Sequence, residues 1–229
     1  KVDLDDLSKI FLNNVSLKKI KQSDYYNLND LEILKMKNKE IKKHFIKDYK
    51  ALKKDGNINV VVEIPAGTTE KWEVSKLSGI LSREFYMGKP RVINHTPYPV
   101  NYGMIPQTVL PVSRGGDGDP LDAIILGDAL VKGEVVEVKP LGVMRMTDGG
   151  EQDDKIISVL TSSILSNYNN IEHLNNERPE ILENIKNWFI NYKGENVVKF
   201  INFESEEEAS FLVKESNKYY KRFGLKERS

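Results

Sequence analysis

Between Gly115 and Asp122 the chain reads Gly-Gly-Asp-Gly-Asp-Pro-Leu-Asp, three carboxylates within six residues, and the apolar run Ala123-Ile-Ile-Leu126 follows at once. Glycine permits a sharp turn and Pro120 stiffens it, so the three acids can aim at one place. Like charges held that closely repel. The turn is therefore stable either as a solvated acidic bend or with a cation between the acids. A set made only of oxygen ligands favours a hard ion such as Mg²⁺ over zinc or copper. A helix–loop–helix calcium loop also begins Asp-x-Asp, but it wants an oxygen ligand at the fifth position and glycine at the sixth. Counted from Asp117, those positions hold Leu121 and Asp122, so that reading fails.

A second acidic turn, Thr147-Asp-Gly-Gly-Glu-Gln-Asp-Asp-Lys155, lies between apolar runs at Glu134–Pro140 and Lys155–Val159. Two acidic turns opening off neighbouring strands would face each other across one end of a barrel. Together they offer oxygen ligands for two or more metal ions, which can acidify a shared water and clamp an anionic substrate.

The remaining pattern frames these turns. Asn59–Pro65 is β-branched and closed by proline, as a strand is. Lys71–Val74, Val109–Val112, Ala123–Leu130, Glu134–Pro140 and Lys155–Val159 also read as strands. Helical spacing appears late, over Pro179–Tyr192 and Ser205–Phe223. Strands first and helices afterwards give an α+β fold, most simply a small antiparallel barrel with flanking α-helices. Upstream, Leu31, Leu34, Ile41, Phe45, Tyr49 and Leu52 recur at helical intervals between Asn29 as N-cap and Gly56 as stop, predicting one amphipathic helix over Asn29–Lys54. A shorter helix is expected near Leu4–Leu12. The domain division that follows is 1–55 as an N-terminal helical extension and 56–229 as the main domain.

Charge narrows the partners. The 34 basic and 34 acidic residues cancel, but residues 1–55 hold 14 of the bases, all lysine, and only 9 of the acids. Residues 56–229 are thus net acidic, which argues against a nucleic-acid surface. Zero cysteines exclude disulfides, thiolate metal sites and cysteine nucleophiles. No apolar run is long enough to span a membrane. The chain begins at Lys1 rather than Met, as a trimmed sequence does, and a soluble cytoplasmic protein is the expectation.

Cations and phenols are set among the apolar runs: Lys71 and Glu73 around Trp72, then Arg91, Tyr98, Tyr102, Lys155, Tyr192 and Lys193. Singly each reads as a surface charge or a packed aromatic; as a set they form the donors a phosphate or diphosphate needs. With these residues in view the sequence resembles the family I soluble inorganic pyrophosphatases, in a eukaryote-like form with an N-terminal extension. Asp-Gly-Asp-Pro-Leu-Asp at 117–122 matches the family's D-x-D-P-x-D signature. In order, Glu63-Ile-Pro65, Lys71-x-Glu73, Tyr98-x-x-x-Tyr102-Gly103, Asp148 to Lys155 and Tyr192-Lys193 agree, over about residues 58 to 200.

The resemblance implies a five-stranded OB-like barrel that hydrolyses Mg-bound diphosphate to two orthophosphates, by in-line attack of a metal-bridged hydroxide, with two to four Mg²⁺ ions. It assigns Asp117, Asp122, Asp148 and Asp153 as metal ligands, with Glu63 acting through water. Asp119 is then the catalytic carboxylate beside the attacking water. Lys71, Arg91, Tyr102, Lys155, Tyr192 and Lys193 bind the phosphoryl groups, with Arg91, Tyr102 and Lys193 counted among the catalytic residues, and Glu73 and Tyr98 support the site. Arg83 also precedes Tyr98; Arg91 is preferred because Gly88-Lys89-Pro90-Arg91 resembles the Gly-Lys-x-Arg of eukaryotic members. Gly149 stands where many relatives carry another acid. A homodimer is the expected assembly, without nucleic-acid or membrane partners. Two rival readings remain at this point: a phosphatase of the haloacid dehalogenase type with an aspartyl nucleophile, and a non-enzymatic OB-type binding module.

Overall fold

The computed structural model describes residues 43–111 and 115–225. In chain order its strands are β1 (Ile58–Ile64), β2 (Trp72–Val74), β3 (Leu81–Arg83), β4 (Phe85–Tyr86), β5 (Lys89–Pro90), β6 (Asn101–Met104), β7 (Asp122–Leu126), β8 (Val135–Asp148), β9 (Glu151–Gln152), β10 (Lys155–Leu160) and β11 (Val198–Glu204). The helices are α1 (Ile171–Glu177), α2 (Pro179–Asn191) and α3 (Glu206–Phe223).

Five strands form a circuit of pairings: β1 with β6, β6 with β7, β7 with β10, β10 with β8, and β8 back to β1. The OB-like arrangement expected from sequence is present, though irregular, with ladder breaks between Val62 and Ile64 and between Ile157 and Ser158. One feature differs from an all-antiparallel barrel. β7 and β10 run parallel, with Lys155 opposite Asp122. A parallel pair needs a long crossover, and here β8 and its return turn supply it.

β8 is 14 residues long and continues past Pro140, where the sequence pattern predicts its end. Proline removes a ladder donor, but the break beside Ser158 accommodates it, and the strand runs on to pair with β11. The strand predicted at Val109–Val112 is absent over Val109–Pro111, the described part. There the Leu110 N–H donates to the Asp119 carbonyl, and the Gly118 N–H to the Leu110 carbonyl, which spends this backbone on the acidic turn. β7 ends at Leu126, short of Leu130, because Gly127 turns the chain at φ 122°.

The helix predicted over Asn29–Lys54 is also corrected. Residues 29–42, like the helix expected near Leu4–Leu12, lie outside the described residues; 43–54 form turns. The neighbours Phe45 and Ile46 are both buried, against Val61, Val74 and Met104. Burying adjacent side chains on one sheet overrides the helical period. Residues 43–84 group with 91 onward as one compact unit, so Phe45, Ile46 and Ala51 pack within it. The β4–β5 hairpin falls outside that unit and is a two-residue turn with Met87 and Gly88 at φ 50° and 74°.

β10 divides the core. Ile157 and Val159 join Tyr98, Tyr102 and Ile124 in a cluster that includes Leu182, Ile185, Trp188 and Phe189 of α2. Ile156 lies in a second cluster with Ala123, Ile125, Val143 and, from α3, Ala209 and Val213. α2 opens with Pro179 and Glu180 in its first turn, and α3 is capped by Ser205, whose hydroxyl accepts from the Glu208 N–H.

Candidate active site

The two acidic turns meet. The Gln152 N–H donates to the Gly115 carbonyl at 2.7 Å, and Gly116 bridges Gln152. Within the first turn the Asp117 carboxylate accepts from the Asp119 N–H at 2.8 Å. A side chain at Gly116 would lie 2.7 Å from the Leu110 carbonyl oxygen, so the turn's approach to that segment requires glycine.

The parallel register sets Lys155 beside Asp122, and both begin their strands at this end of the circuit. Lys155 is 1% exposed. Its Nζ donates to Asp122 Oδ2 at 2.9 Å and to Asp153 Oδ1 at 2.8 Å, with the Tyr102 hydroxyl at 3.2 Å. The Tyr102 hydroxyl in turn donates to Asp122 Oδ2. Lys71 lies over the Tyr102 ring, 5.2 Å from its centroid. Glu63, also buried, accepts from the Val74 N–H at 2.7 Å.

Burial works against the charged form of most of these carboxylates. Burial, helped by Asp122, pushes the Asp117 carboxyl up to about 6. Burial and the charges of Asp122 and Asp117 raise Asp153 to about 6 against the pull of Lys155. Glu63 rises to about 8, first through burial and then through Asp122 and Glu73, with Lys71 opposing. Burial would raise Asp122 as well, but Lys155, Tyr102 and Lys71 together hold it below the ordinary aspartate value. Burial would lower Lys71 and Lys155; the anionic surroundings outweigh it and keep both above the ordinary lysine value.

Around this centre Asp148 pairs with Lys193, and Asp119 with Lys76. Arg91 and Glu84 form a 2.5 Å ion pair, and the Arg91 carbonyl accepts from the Lys71 N–H at 3.1 Å. Tyr98 and Tyr192 add to the field at Arg91. Arg83 instead pairs with Glu70 at 2.8 Å and lies near the Trp72 ring. Tyr98 and Tyr192 flank Trp188, at 4.3 and 4.9 Å between ring centroids, the second pair stacked. Burial raises Glu73, with Glu84 adding to it.

The residues singled out in the sequence thus gather at one end of the strand circuit. Lys76, Glu84 and Trp188 were not among them. Lys76 and Glu84 follow no spacing that marks them, and Trp188 reads from sequence as one more apolar residue of its helix. His95 packs edge-on against Trp188, 6.0 Å between ring centroids.

Among the described residues no three acids or histidines stand close enough to form a ready-made metal cage, and each central carboxylate leans on a lysine. The donor set nevertheless fits a hard divalent cation. It is all oxygen, and burial disfavours the charged form of Asp117, Asp153 and Glu63, a cost that a bound cation would offset. Two rival readings lose their footing. An aspartyl nucleophile of the haloacid dehalogenase type belongs at the end of a strand in a parallel α/β sheet, whereas Asp117 precedes β7 in a mainly antiparallel circuit. A single-strand nucleic-acid groove needs a basic surface, and here the carboxylates dominate. No helix among the described residues is long and apolar enough to cross a membrane.

Comparison with known proteins agrees. The family model described as inorganic pyrophosphatase matches residues 60–221. An inorganic pyrophosphatase of Xylella fastidiosa (strain 9a5c) is 38% identical over 138 residues, 59% of this chain and 72% of that protein. The structure of inorganic pyrophosphatase from Schistosoma japonicum superposes with a TM-score of 0.71 at 28% identity, over 76% of this chain and 69% of that one. The inorganic pyrophosphatase of Thermus thermophilus gives a TM-score of 0.67 at 26% identity, over 78% of this chain and 99% of that one.

Proposed function

The chain belongs to the inorganic pyrophosphatase family, and we propose that it hydrolyses inorganic diphosphate to two orthophosphates at the end of the strand circuit where Lys155 and Asp122 meet. The cofactor is a divalent metal. We assign Mg²⁺, two to four ions, held by Asp117, Asp122, Asp148 and Asp153 with Glu63 acting through water. When bound, the ions neutralise diphosphate charge and acidify adjacent water.

The chain's own groups do the rest. Lys71, Arg91, Tyr102, Lys155, Tyr192 and Lys193 bind and orient the two phosphoryl groups in line with the attacking water. Asp119 accepts that water's proton. Arg91 and Lys193 offset charge on the phosphoryl oxygens as the bridging bond breaks, and the Tyr102 hydroxyl donates a hydrogen bond there once it exchanges Asp122 for the substrate. Glu73 and Tyr98 hold these groups in register. No covalent intermediate is required, since phosphoryl transfer asks chiefly for positioning and charge neutralisation. The observation that carries the assignment is the buried Lys155 shared by Asp122, Asp153 and Tyr102 where the two acidic turns are hydrogen-bonded to each other.

Orthophosphate release from diphosphate, with and without Mg²⁺, tests the assignment in the full chain and in Asp119→Asn and Asp153→Asn. Strict metal dependence and a loss of about 10²–10³-fold in each variant are expected. Unchanged turnover in either would remove that residue from the site. The reading also includes a homodimer in the cytoplasm. Light scattering on the full chain and on a chain starting at residue 43 tests the dimer and any part residues 1–42 play in it. The truncation stops there because Phe45, Ile46 and Ala51 are buried.

A further inference from the structure

Asp154 has no part in the hydrolysis assigned above, yet its side chain is 1% exposed. A carboxylate at that depth persists only when paired and hydrogen-bonded. Arg145 of β8 supplies the pairing through Nη1, 2.7 Å from Asp154 Oδ2. The Gln152 side-chain amide donates to the same oxygen, and the Met146 N–H lies 3.3 Å from Oδ1. The same guanidinium bonds Glu204 at the end of β11 through Nε at 2.5 Å, and its Nη2 is 3.5 Å from Glu208 in the first turn of α3.

Side chains alternate along an extended segment, so Asp153 and Lys155 go to one face and Asp154 to the other. The flanking core agrees: Ile157 packs in the cluster of α2, Ile156 in that of α3. Asp154 is therefore the reverse side of the turn that carries Asp153 and Lys155. The main chain of Asp153 is tied as well, its N–H donating to the Met146 carbonyl at 3.0 Å. A one-residue slip here would send Lys155 to the wrong face.

We propose that Arg145 and Asp154 are positioning residues for the metal-binding turn, clamping its reverse side to β8 so that Asp148, Asp153 and Lys155 point into the site. The inference rests on the hydrolytic reading above. An apolar pair would hold the same layer together at least as well as a buried ion pair. What an apolar pair lacks is direction, which the planar guanidinium fork provides by fixing three partners at once.

The test is calorimetric Mg²⁺ binding to the metal-free full chain, joined to diphosphate turnover across a Mg²⁺ series and to thermal melting. The variants are Arg145→Lys, which keeps the charge but not the fork, and the double variant Arg145→Met with Asp154→Leu, which is apolar on both sides. Glu208→Gln serves as control. Both test variants should bind Mg²⁺ about tenfold more weakly, and saturating Mg²⁺ should return turnover to within about threefold of the unaltered chain. Glu208→Gln should bind as the unaltered chain does. Mg²⁺ binding within about twofold of the unaltered chain in both variants, with only the melting temperature lowered, would overturn the proposal. So would a turnover loss that Mg²⁺ does not recover. If Arg145→Lys does not fold, the double variant decides; failure of both to fold would make the pair purely structural and overturn it too. An unaltered chain that releases no orthophosphate would refute the hydrolytic reading itself, whereas normal turnover with unchanged Mg²⁺ binding in the variants would refute only the positioning role.

Discussion

Two cations, the buried Lys155 and the partly buried Arg145, stand on opposite faces of the segment that leads into β10. On one face Lys155 holds Asp122, Asp153 and the Tyr102 hydroxyl; on the other Arg145 holds Asp154, Glu204 and Glu208. The partners are alike, but the geometry of the cations differs. An ammonium is a point charge on a flexible stem, able to exchange one oxygen for another, while a guanidinium fixes its partners in a plane. On the proposed reading, the lysine face trades partners with an incoming phosphate. The arginine face is closed. Two similar ionic centres are thus suited to opposite tasks, exchange and fixation.

The contrast can be broken experimentally. Lys155→Met should have the largest effect, about a 10²–10³-fold loss of kcat in a stopped orthophosphate assay. Activity within tenfold of the unaltered chain would put Lys155 outside the reaction. Arg145→Met should mainly cost stability, about 3–5 kcal/mol in urea unfolding, because it strands a buried carboxylate. Adding Asp154→Leu should recover most of that loss. No such second substitution should restore catalysis to Lys155→Met.

The two faces also differ in pH response. A carboxyl whose pKa is raised on folding binds its proton more tightly in the native state, so its contribution to stability is greatest at low pH and declines as pH rises. Asp117 and Asp153, at about 6, and Glu63, at about 8, set that window between about pH 4 and pH 8. The metal-free protein should therefore melt at progressively lower temperature between pH 5 and 8, and a saturating divalent cation should remove the decline. Asp153→Asn should flatten the slope, whereas the double variant Arg145→Met with Asp154→Leu, which leaves no stranded carboxylate, should keep it. Equal slopes in the unaltered chain and Asp153→Asn would sink this account. The smallest change is expected from Glu208→Gln, whose carboxylate is half exposed: about 0.5 kcal/mol or less in the same urea experiment.

The lysine face was largely legible in the sequence because its chemistry is local. Asp117, Asp119 and Asp122 lie in one turn and Asp153 and Lys155 in another, and the family resemblance supplies their roles. The arginine face was not. Its members are spread over β8, the turn before β10, β11 and α3, and Pro140 hid the half of β8 that carries Arg145. Gly103 hid β6 for a similar reason: it looks like a break, but a Cβ there would lie 1.9 Å from the Val61 carbonyl oxygen, so the glycine serves close strand approach. β11, written Val-Lys-Phe-Ile-Asn-Phe-Glu, lacks clean alternation and pairs with β8 alone. Around Phe45 the error ran the other way. A helical period was present, but burial of two adjacent side chains on the sheet prevailed.

The β1–β8 pairing that completes the strand circuit joins Ile58 to Val138, about eighty residues apart, and such distant pairings form late because chain entropy opposes them. The residues assigned to the site are spread from Glu63 to Lys193 on either side of that seam. During refolding, hydrolysis should accordingly return after far-ultraviolet ellipticity has recovered, so that the substrate itself times the last step of assembly.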